Sequence, residues 1–505
     1  MKLDQLKNSG LIIISNLMIN LSNFLRQIVL AWFLGISDQI DVLLVAQIVP
    51  SIIQSMIGGG AGETSVIKGG DRSRDNNSFM AIFISVCLLL VLCLGCIYFL
   101  FIDSFLDLFK LSAERMVLFN NLSVIYIINM VPGTFTSILR PHLYAKGFYK
   151  FFTYSSVLSQ LAGLIFLLLT LKVWGIYSFA LSIILANTLN AIWFSYKAKI
   201  NYTDVAHIEI WRSEYNDLKK LMKRVFSISI QTIMNHLGTF WERTLSVRFL
   251  SGGYLSSLNY SKNLSDLPST ILLSSVLTTS YIEQVRLYKL GFKQFSEFTI
   301  STLKTIIGLG LVFQLLLLIF APLIIIVLFR RGNFDNTAVE ATLVIFNILT
   351  VSFLPKLIYG YFARTMYILG HYRMLLLAGF LRLLLQVGIM VFFITKIDQA
   401  IPFAILSGNI FIVVLLYYMI GPKLQISNWY FFPLQISGIV IVSLMMYRIH
   451  SLTLKYYIGK TTFEVLQIYL PIILICSAVL VFLASRTTIG KEIIYKIRKY
   501  VNPKS

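Results

Sequence analysis

The constraint that dominates this sequence is a recurring apolar run of about 20 residues, the length that carries an α-helix across ~30 Å of hydrocarbon. Such runs can be read at roughly 9–34, 41–66, 79–102, 118–140, 152–171, 174–197, 222–247, 255–282, 300–329, 339–363, 375–396, 400–420, 430–449 and 464–485. Inside a bilayer each backbone N–H and C=O needs a partner within the protein, so runs of this length fold as helices. With 57% hydrophobic and 13% charged residues among 505, the chain is expected to be an all-α membrane protein. About 14 transmembrane helices are expected, and an even number puts both termini on one side. No cleavable leader is expected, because Met1–Gly10 lead straight into the first run.

The net charge of +21 raises the question of nucleic acid. The basic residues, however, fall in short loops between apolar runs, which is the orientation signal of a membrane protein, and a nucleic-acid partner is not expected. If the N-terminus is inside, about 28 of the 43 Lys and Arg residues lie in inner loops and about 10 in outer ones. Both termini are therefore expected in the cytoplasm. The longest loop, Lys197–Arg224, is too short for a separate extramembrane domain. Cys87, Cys93, Cys96 and Cys476 all sit in apolar runs, so neither a disulfide framework nor a metal site is implied. The five histidines (His142, His207, His236, His371 and His450) are scattered, and no catalytic residue is expected.

Charge inside the membrane is the functional signal. Arg26 lies about 12 residues, or ~18 Å, into the hydrophobic stretch that begins near Ile14, where a cation is expensive unless it meets water, a partner or an anionic ligand. Arg243, Lys262, Lys356 and Arg382 lie at comparable depth, against Glu242, Asp266 and, at the margin, Glu63. Asp41 sits nearer the outer interface. A net basic interior suits an anionic headgroup such as a diphosphate, which arginine binds in bidentate fashion. Glu242 is the only carboxylate in the middle of the seventh run. It could exchange a proton, bind Na⁺, or pair with Lys262 or Lys356 as a structural ion pair.

The chain also repeats itself. Tyr144…Gly147…Tyr149-Lys150 follows the fourth run, and Tyr367…Gly370…Tyr372-Arg373 follows the tenth. Arg26 stands nine residues before Gly35 with Pro50 beyond, and Arg243 stands nine before Gly252 with Pro268 beyond. Six runs separate the equivalents, so the two halves have the same orientation. Parallel repeats imply two pseudo-symmetric six-helix lobes around a central cavity. The expected division is 1–200 for the first lobe, 201–424 for the second, and 425–505 for two further helices and a basic tail. Pro50, the Gly58–Gly62 stretch and Pro268 are expected to break helices where backbone lines a cavity.

Several stretches resemble the MurJ (MviN) lipid II flippases of the multidrug/oligosaccharidyl-lipid/polysaccharide exporter superfamily. They are Arg26…Leu34-Gly35…Asp41…Pro50; Glu242-Arg243 with Leu258…Tyr260…Leu264…Asp266…Pro268; and Phe329…Arg331-Gly332…Phe334-Asp335. The similarity runs from about Asn8 to Tyr372. The resemblance implies a cavity of alternating access and an undecaprenyl-diphosphate-linked glycan as cargo, moved across the bacterial cytoplasmic membrane among its lipids. It carries substrate binding onto Arg26, Asp41, Arg243 and Asp266, with Lys262 beside a family arginine position held here by Asn263. Asn20 and Gln54 likewise stand where the family has arginines. Ion coupling is carried onto Glu242, with Gln386 as the amide partner and Na⁺ or H⁺ as the ion; no cofactor is implied.

Three function classes follow. A lipid-linked glycan flippase, carrying lipid II or an O-antigen, capsule or exopolysaccharide unit, suits the basic interior. A cation-coupled drug exporter would want an acidic cavity. A membrane glycan transferase would want extramembrane catalytic surface.

Overall fold

The computed structural model describes residues 2–59, 77–200, 208–272, 278–424, 460–465 and 467–471, and these contain helices and no strand. In chain order the first group of helices is α1 (Lys2–Leu34), α2 (Asp38–Ala46), α3 (Ile48–Gln54), α4 (Asn77–Leu100), α5 (Ile102–Phe109), α6 (Ala113–Ala145), α7 (Tyr149–Trp174) and α8 (Tyr177–Ala198), with a π-helical turn at Ser55–Gly59 after α3. The second group is α9 (Ile208–Phe249), α10 (Tyr254–Leu272), α11 (Thr278–Leu290), α12 (Phe292–Ile319), α13 (Ala321–Phe329), α14 (Asn336–Val351), α15 (Phe353–Ile368), α16 (Tyr372–Phe393) and α17 (Ala400–Ile420). Within the first group, α8 packs on α6 and α7, α7 on α1, and α6 on α2 and α4. Within the second, α17 packs on α15 and α16, α10 on α14, and α9 on α16. The two bundles meet where α9 and α10 lie against α2, α3 and the π turn.

Nine segments among the described residues are long and apolar enough to cross a membrane, and the bent pair α14–α15 makes ten. Their outer faces are apolar: Leu169 and Val173 of α7 are 75% and 77% exposed. In water that would be costly, whereas hydrocarbon solvates it. The helices α9 and α10 are not among the ten, because uncharged polar residues such as Asn235, His236, Asn259 and Asn263 lower their apolarity together with Glu242, Arg243, Lys262 and Asp266. The expected spans 430–449 and 464–485, the basic tail, and the Gly60–Gly62 and Glu63 positions lie wholly or almost wholly outside the described residues, as do His207, His450 and Cys476.

Several local breaks have identifiable causes. Pro50 lacks the N–H that would bond back one turn, and α2 gives way to α3 just before it, at Gln47. The π turn at Ser55–Gly59 then loosens the same span near Gly58. Pro268, by contrast, sits within α10 and does not end it. The α14–α15 bend is 41°, at Ser352, with Pro355 in the first turn of α15. The Lys197–Arg224 segment, expected as a loop, is helical from Ile208 onward. Leu218 and Leu221 are buried there, which fastens this forward extension of α9 to the bundle.

The internal repeat has a structural counterpart. Gly147 and Gly370 are both left-handed, at φ 81° and 74°. The N–H after each returns to a carbonyl five residues back: Phe148 to Leu143 at 3.0 Å, His371 to Met366 at 2.9 Å. That is the same glycine-terminated helix end in both bundles. The other echo is offset by one residue. Gly35 is left-handed at φ 64°, but its conformational equivalent is Gly253 at φ 86° rather than Gly252.

Candidate functional site

The bundles are joined firmly at the Gly35 end. Asp41 of α2 accepts from the backbone N–H groups of Gly253 (2.8 Å) and Ser256 (2.7 Å) and from the Ser256 hydroxyl (2.5 Å). It thus caps the N-terminus of α10 from the opposite bundle, where unpaired amides and the helix dipole favour a carboxylate. The Ser256 hydroxyl, whose one proton goes to Asp41, also lies 3.1 Å from the Ser37 carbonyl, and the Tyr260 hydroxyl donates to the Gly35 carbonyl at 3.1 Å. The Arg330–Phe334 turn closes over the tip of α1. Asn333 donates its backbone N–H to the Trp32 carbonyl at 3.0 Å and its side-chain amide to the Phe33 carbonyl at 2.6 Å. Gly332, at φ 58°, has no room for a Cβ against Trp32. Phe329 and Phe334 stack beside Tyr260, with ring centroids 5.5 and 5.9 Å from it. The Phe-x-Arg-Gly-x-Phe motif is therefore a clasp on the first helix.

Below this seal a cavity of about 350 Å³ opens between the bundles, lined by Gln47 and Ser51 on one side and Arg243, Lys262, Asn263 and Asp266 on the other. Its charges are organised into pairs. The Lys262 ammonium lies 2.5 Å from one Glu242 oxygen, and the Gln386 amide donates to the other at 2.8 Å. The Lys356 ammonium lies 2.5 Å from Asp266. Arg243 donates across to the Leu44 carbonyl. A smaller cavity of about 210 Å³ lies between α1 and α10, where Asn20, Asn23 and Gln27 face Asn263 and Asp266.

Arg243, Lys262, Asp266, Glu242 and Gln386 are thus brought together, and the first four line the central cavity. Arg26 and Asp41 are placed elsewhere. Arg26 is 3% exposed and lines none of these cavities. Its guanidinium turns into the first bundle, donating to the Gln160 carbonyl at 3.0 Å and toward Asn23 at 3.4 Å. Gly163, without a Cβ, leaves the space for it. The expectation that Arg26 and Arg243 share one cavity therefore does not describe this conformation. Depth along a helix fixes distance from the membrane surface but leaves the direction of the side chain free. Asp41 is an inter-bundle cap here. Gln54 packs against Gly133 of α6.

A family model described as lipid II flippase MurJ matches residues 30–470. The chain belongs to the MurJ family. The match extends beyond the stretch that carried the motif resemblance, into the described fragment ending at 471. A solved structure of lipid II flippase MurJ in an inward closed conformation shares 18% identity at a TM-score of 0.72, covering 92% of this chain and 98% of that one. An inward-facing MATE-family multidrug resistance transporter of the MOP superfamily shares 14% at a TM-score of 0.67, covering 82% and 98%. A MOP superfamily transporter from Pyrococcus furiosus, described as having a binding pocket of reverse polarity, shares 14% at 0.56, covering 83% and 96%. At these identities the solved structures show the fold. No curated protein matches in sequence. MurJ membership and MATE-like architecture make this a multi-pass membrane protein of a transporter fold.

The MurJ motifs left two residues without a role. Lys356 and Arg382 were visible as cations inside spans, but no motif pointed to them. Lys356 neutralises Asp266, and Arg382 stacks over the Tyr359 ring, 5.5 Å from its centroid. Their signal was depth alone, since each lies well inside an apolar stretch whose other charge is at its edge, Glu340 in one and Lys396 in the other.

Proposed function

We propose that the protein carries an undecaprenyl-diphosphate-linked glycan of the lipid II type across the cytoplasmic membrane by alternating access. The observation that carries this reading is the basic cavity between the bundles, shut at the Gly35 end. Both carboxylates on its wall are neutralised by lysines, so Arg243 is left as uncompensated positive charge facing a space between bundles. A diphosphate supplies the missing anion, and a guanidinium offers it paired N–H donors. Lys262 can turn from Glu242 toward the same headgroup. Glu242, still held by Gln386, would then be free for H⁺ or Na⁺, which gives a coupling route. The two bundles act as lobes that rock about the cavity, with both termini in the cytoplasm and the Gly35 end outermost.

Asp41 and the Arg330–Phe334 clasp serve as the outer gate, and Arg26 fixes α1 on α7. An O-antigen, capsule or exopolysaccharide unit is the second reading. The amides Asn20 and Asn263, standing at family arginine positions and lining the α1–α10 cavity, favour it.

The test is transport of fluorescent lipid II analogue and of an undecaprenyl-diphosphate glycan without peptide, each in proteoliposomes of purified protein. Arg243→Ala is expected to abolish transport while folded protein is retained, and Arg243→Lys to impair it partly. Full transport by Arg243→Ala would overturn the reading; preference for the second lipid would move the cargo to the polysaccharide class.

A further inference from the structure

A third cavity, of about 310 Å³, lies inside the second bundle rather than between the two. It is walled by α9, α10, α15, α16 and α17, together with the C-terminal end of α14, and is shared with the central cavity only along Thr239, Glu242, Lys262 and Asp266. Three cations and two carboxylates line it: Lys262, Lys356 and Arg382 against Glu242 and Asp266. The pairing is specific. Each carboxylate has one lysine at 2.5 Å, and none is left for Arg382.

Arg382 lies about 15 Å into α16, deep in the spanning region. Its Nε is buried without a hydrogen-bond partner, and among the described residues its guanidinium makes no hydrogen bond or ion pair at all. The Tyr359 ring supplies only the weak attraction of a π face. The Glu242 carboxylate whose field reaches it is already held by Lys262, and a cation at such depth with no carboxylate of its own is strongly unfavourable. On the neighbouring helix Asn409 is 3% exposed and lines the same cavity. Gly408 brings the two helices close: a Cβ there would lie 3.5 Å from the Arg382 side chain.

We propose that this chamber is a binding site for a small monovalent inorganic anion, of the chloride class, held by the Arg382 guanidinium and the Asn409 amide. The charge count sets the valence, because one negative charge neutralises the chamber and two would reverse it. The chemistry sets the class. The donors are N–H groups of one cation and one neutral amide, and both lining carboxylates are already paired with lysines. The volume far exceeds that of a single water, so a partly hydrated halide fits. The site is distinct from the place where Arg243 would meet a diphosphate, since Arg243 does not line it. The charge count belongs to the state in which Lys262 holds Glu242, before a headgroup draws that lysine away or a coupling ion reaches Glu242 and Gln386, which lines the same chamber.

The experiment compares purified protein in detergent in sodium chloride and in sodium gluconate at equal ionic strength, reading thermal unfolding and the line width of ³⁵Cl magnetic resonance. An ion that binds only the folded form multiplies the folded-to-unfolded ratio by about 100 at a concentration of ~100 times its dissociation constant. The parent is expected to unfold at higher temperature in chloride and to broaden the chloride line. Arg382→Gln is expected to lose both responses, and Arg382→Lys to keep them in weakened form. Asn409→Asp carries its own anion into the chamber. It is expected to be as stable in gluconate as the parent is in chloride, and indifferent to chloride. If Arg382→Gln does not fold, Asn409→Asp decides. Equal behaviour of the parent in the two salts would overturn the proposal. So would a full chloride response in Arg382→Gln or Asn409→Asp, which would place the anion elsewhere.

Discussion

Replacing Asp41 with alanine should unlatch the Gly35 end. The carboxylate accepts three hydrogen bonds, from the Gly253 and Ser256 amides and the Ser256 hydroxyl, and is 5% exposed. Hydrogen bonds to a charged group are worth about 1.5–3 kcal/mol each while they are shielded. Opening returns the same donors to water, so only part of that sum separates the closed from the open state. Loss of an N-cap, the nearest measured analogue, costs about 0.5–2 kcal/mol. Burial puts this site at the upper end, near ~2 kcal/mol, or about a 30-fold shift in the closed-to-open ratio. Spin labels at Lys110 and Lys396, exposed residues on loops of the two bundles, would report the gap by double electron–electron resonance. Asp41→Ala should add a population at longer distance, and Asp41→Asn, which keeps one acceptor oxygen, a smaller one. Identical distance distributions in parent and Asp41→Ala, with the protein folded, would refute the latch.

Glu242→Gln removes the charge that Lys262 and Gln386 address; it should abolish the response of transport to imposed pH and Na⁺ gradients, and a variant that responds as the parent does returns Glu242 to a structural ion pair. Asp335 caps α14 from outside the spans, accepting from the Ala338 N–H at 2.8 Å and the Thr337 hydroxyl at 2.7 Å, and these bonds hold its carboxyl below the usual carboxylate range. Its contribution is therefore full at neutral pH and is lost as pH falls through the lowered folded value. Asp335→Ala should cost about 1 kcal/mol in thermal unfolding at pH 7, with the gap from the parent closing below about pH 4. Cysteines replacing Lys150 and Arg373, exposed positions after the two left-handed glycines, should react with an impermeant maleimide from the cytoplasmic face alone; labelling of either from outside would overturn the orientation.

Hydropathy was enough to read an all-helical membrane fold, because a bilayer forces apolar runs into one kind of element, but it missed the helical segment from Ile208 ahead of the seventh run. The charged pairing of Glu242 with Gln386 was also legible, but through motif resemblance rather than spacing, since 144 positions separate them. What the sequence withheld was azimuth. Successive residues of a helix point ~100° apart, so knowing that Arg26 is deep says nothing about whether it faces α7 or the cavity. The same gap hid the role of Asp41, whose partners are backbone amides and a serine over 200 positions away. Arg382 was hidden for a different reason: its significance lies in the carboxylates taken by Lys262 and Lys356, a matter of allocation that only coordinates display.

The seal at the Gly35 end joins peptide groups to a few side chains. The carbonyls of Trp32, Phe33 and Gly35 accept, that of Ser37 lies against the Ser256 hydroxyl, and the amides of Gly253, Ser256 and Asn333 donate. Substitution does not remove a peptide group unless proline is introduced. Apart from the Asn333–Trp32 pair, each of these peptide groups is met by a side chain, that of Asp41, Ser256, Tyr260 or Asn333, so drift is tolerated only where those four are kept. It also means that selection for tightness against ion leak acts on the few side chains that aim those peptides, chiefly Asp41, Asn333 and the glycines at 35, 253 and 332. Variation elsewhere along the gate is free to follow the cargo.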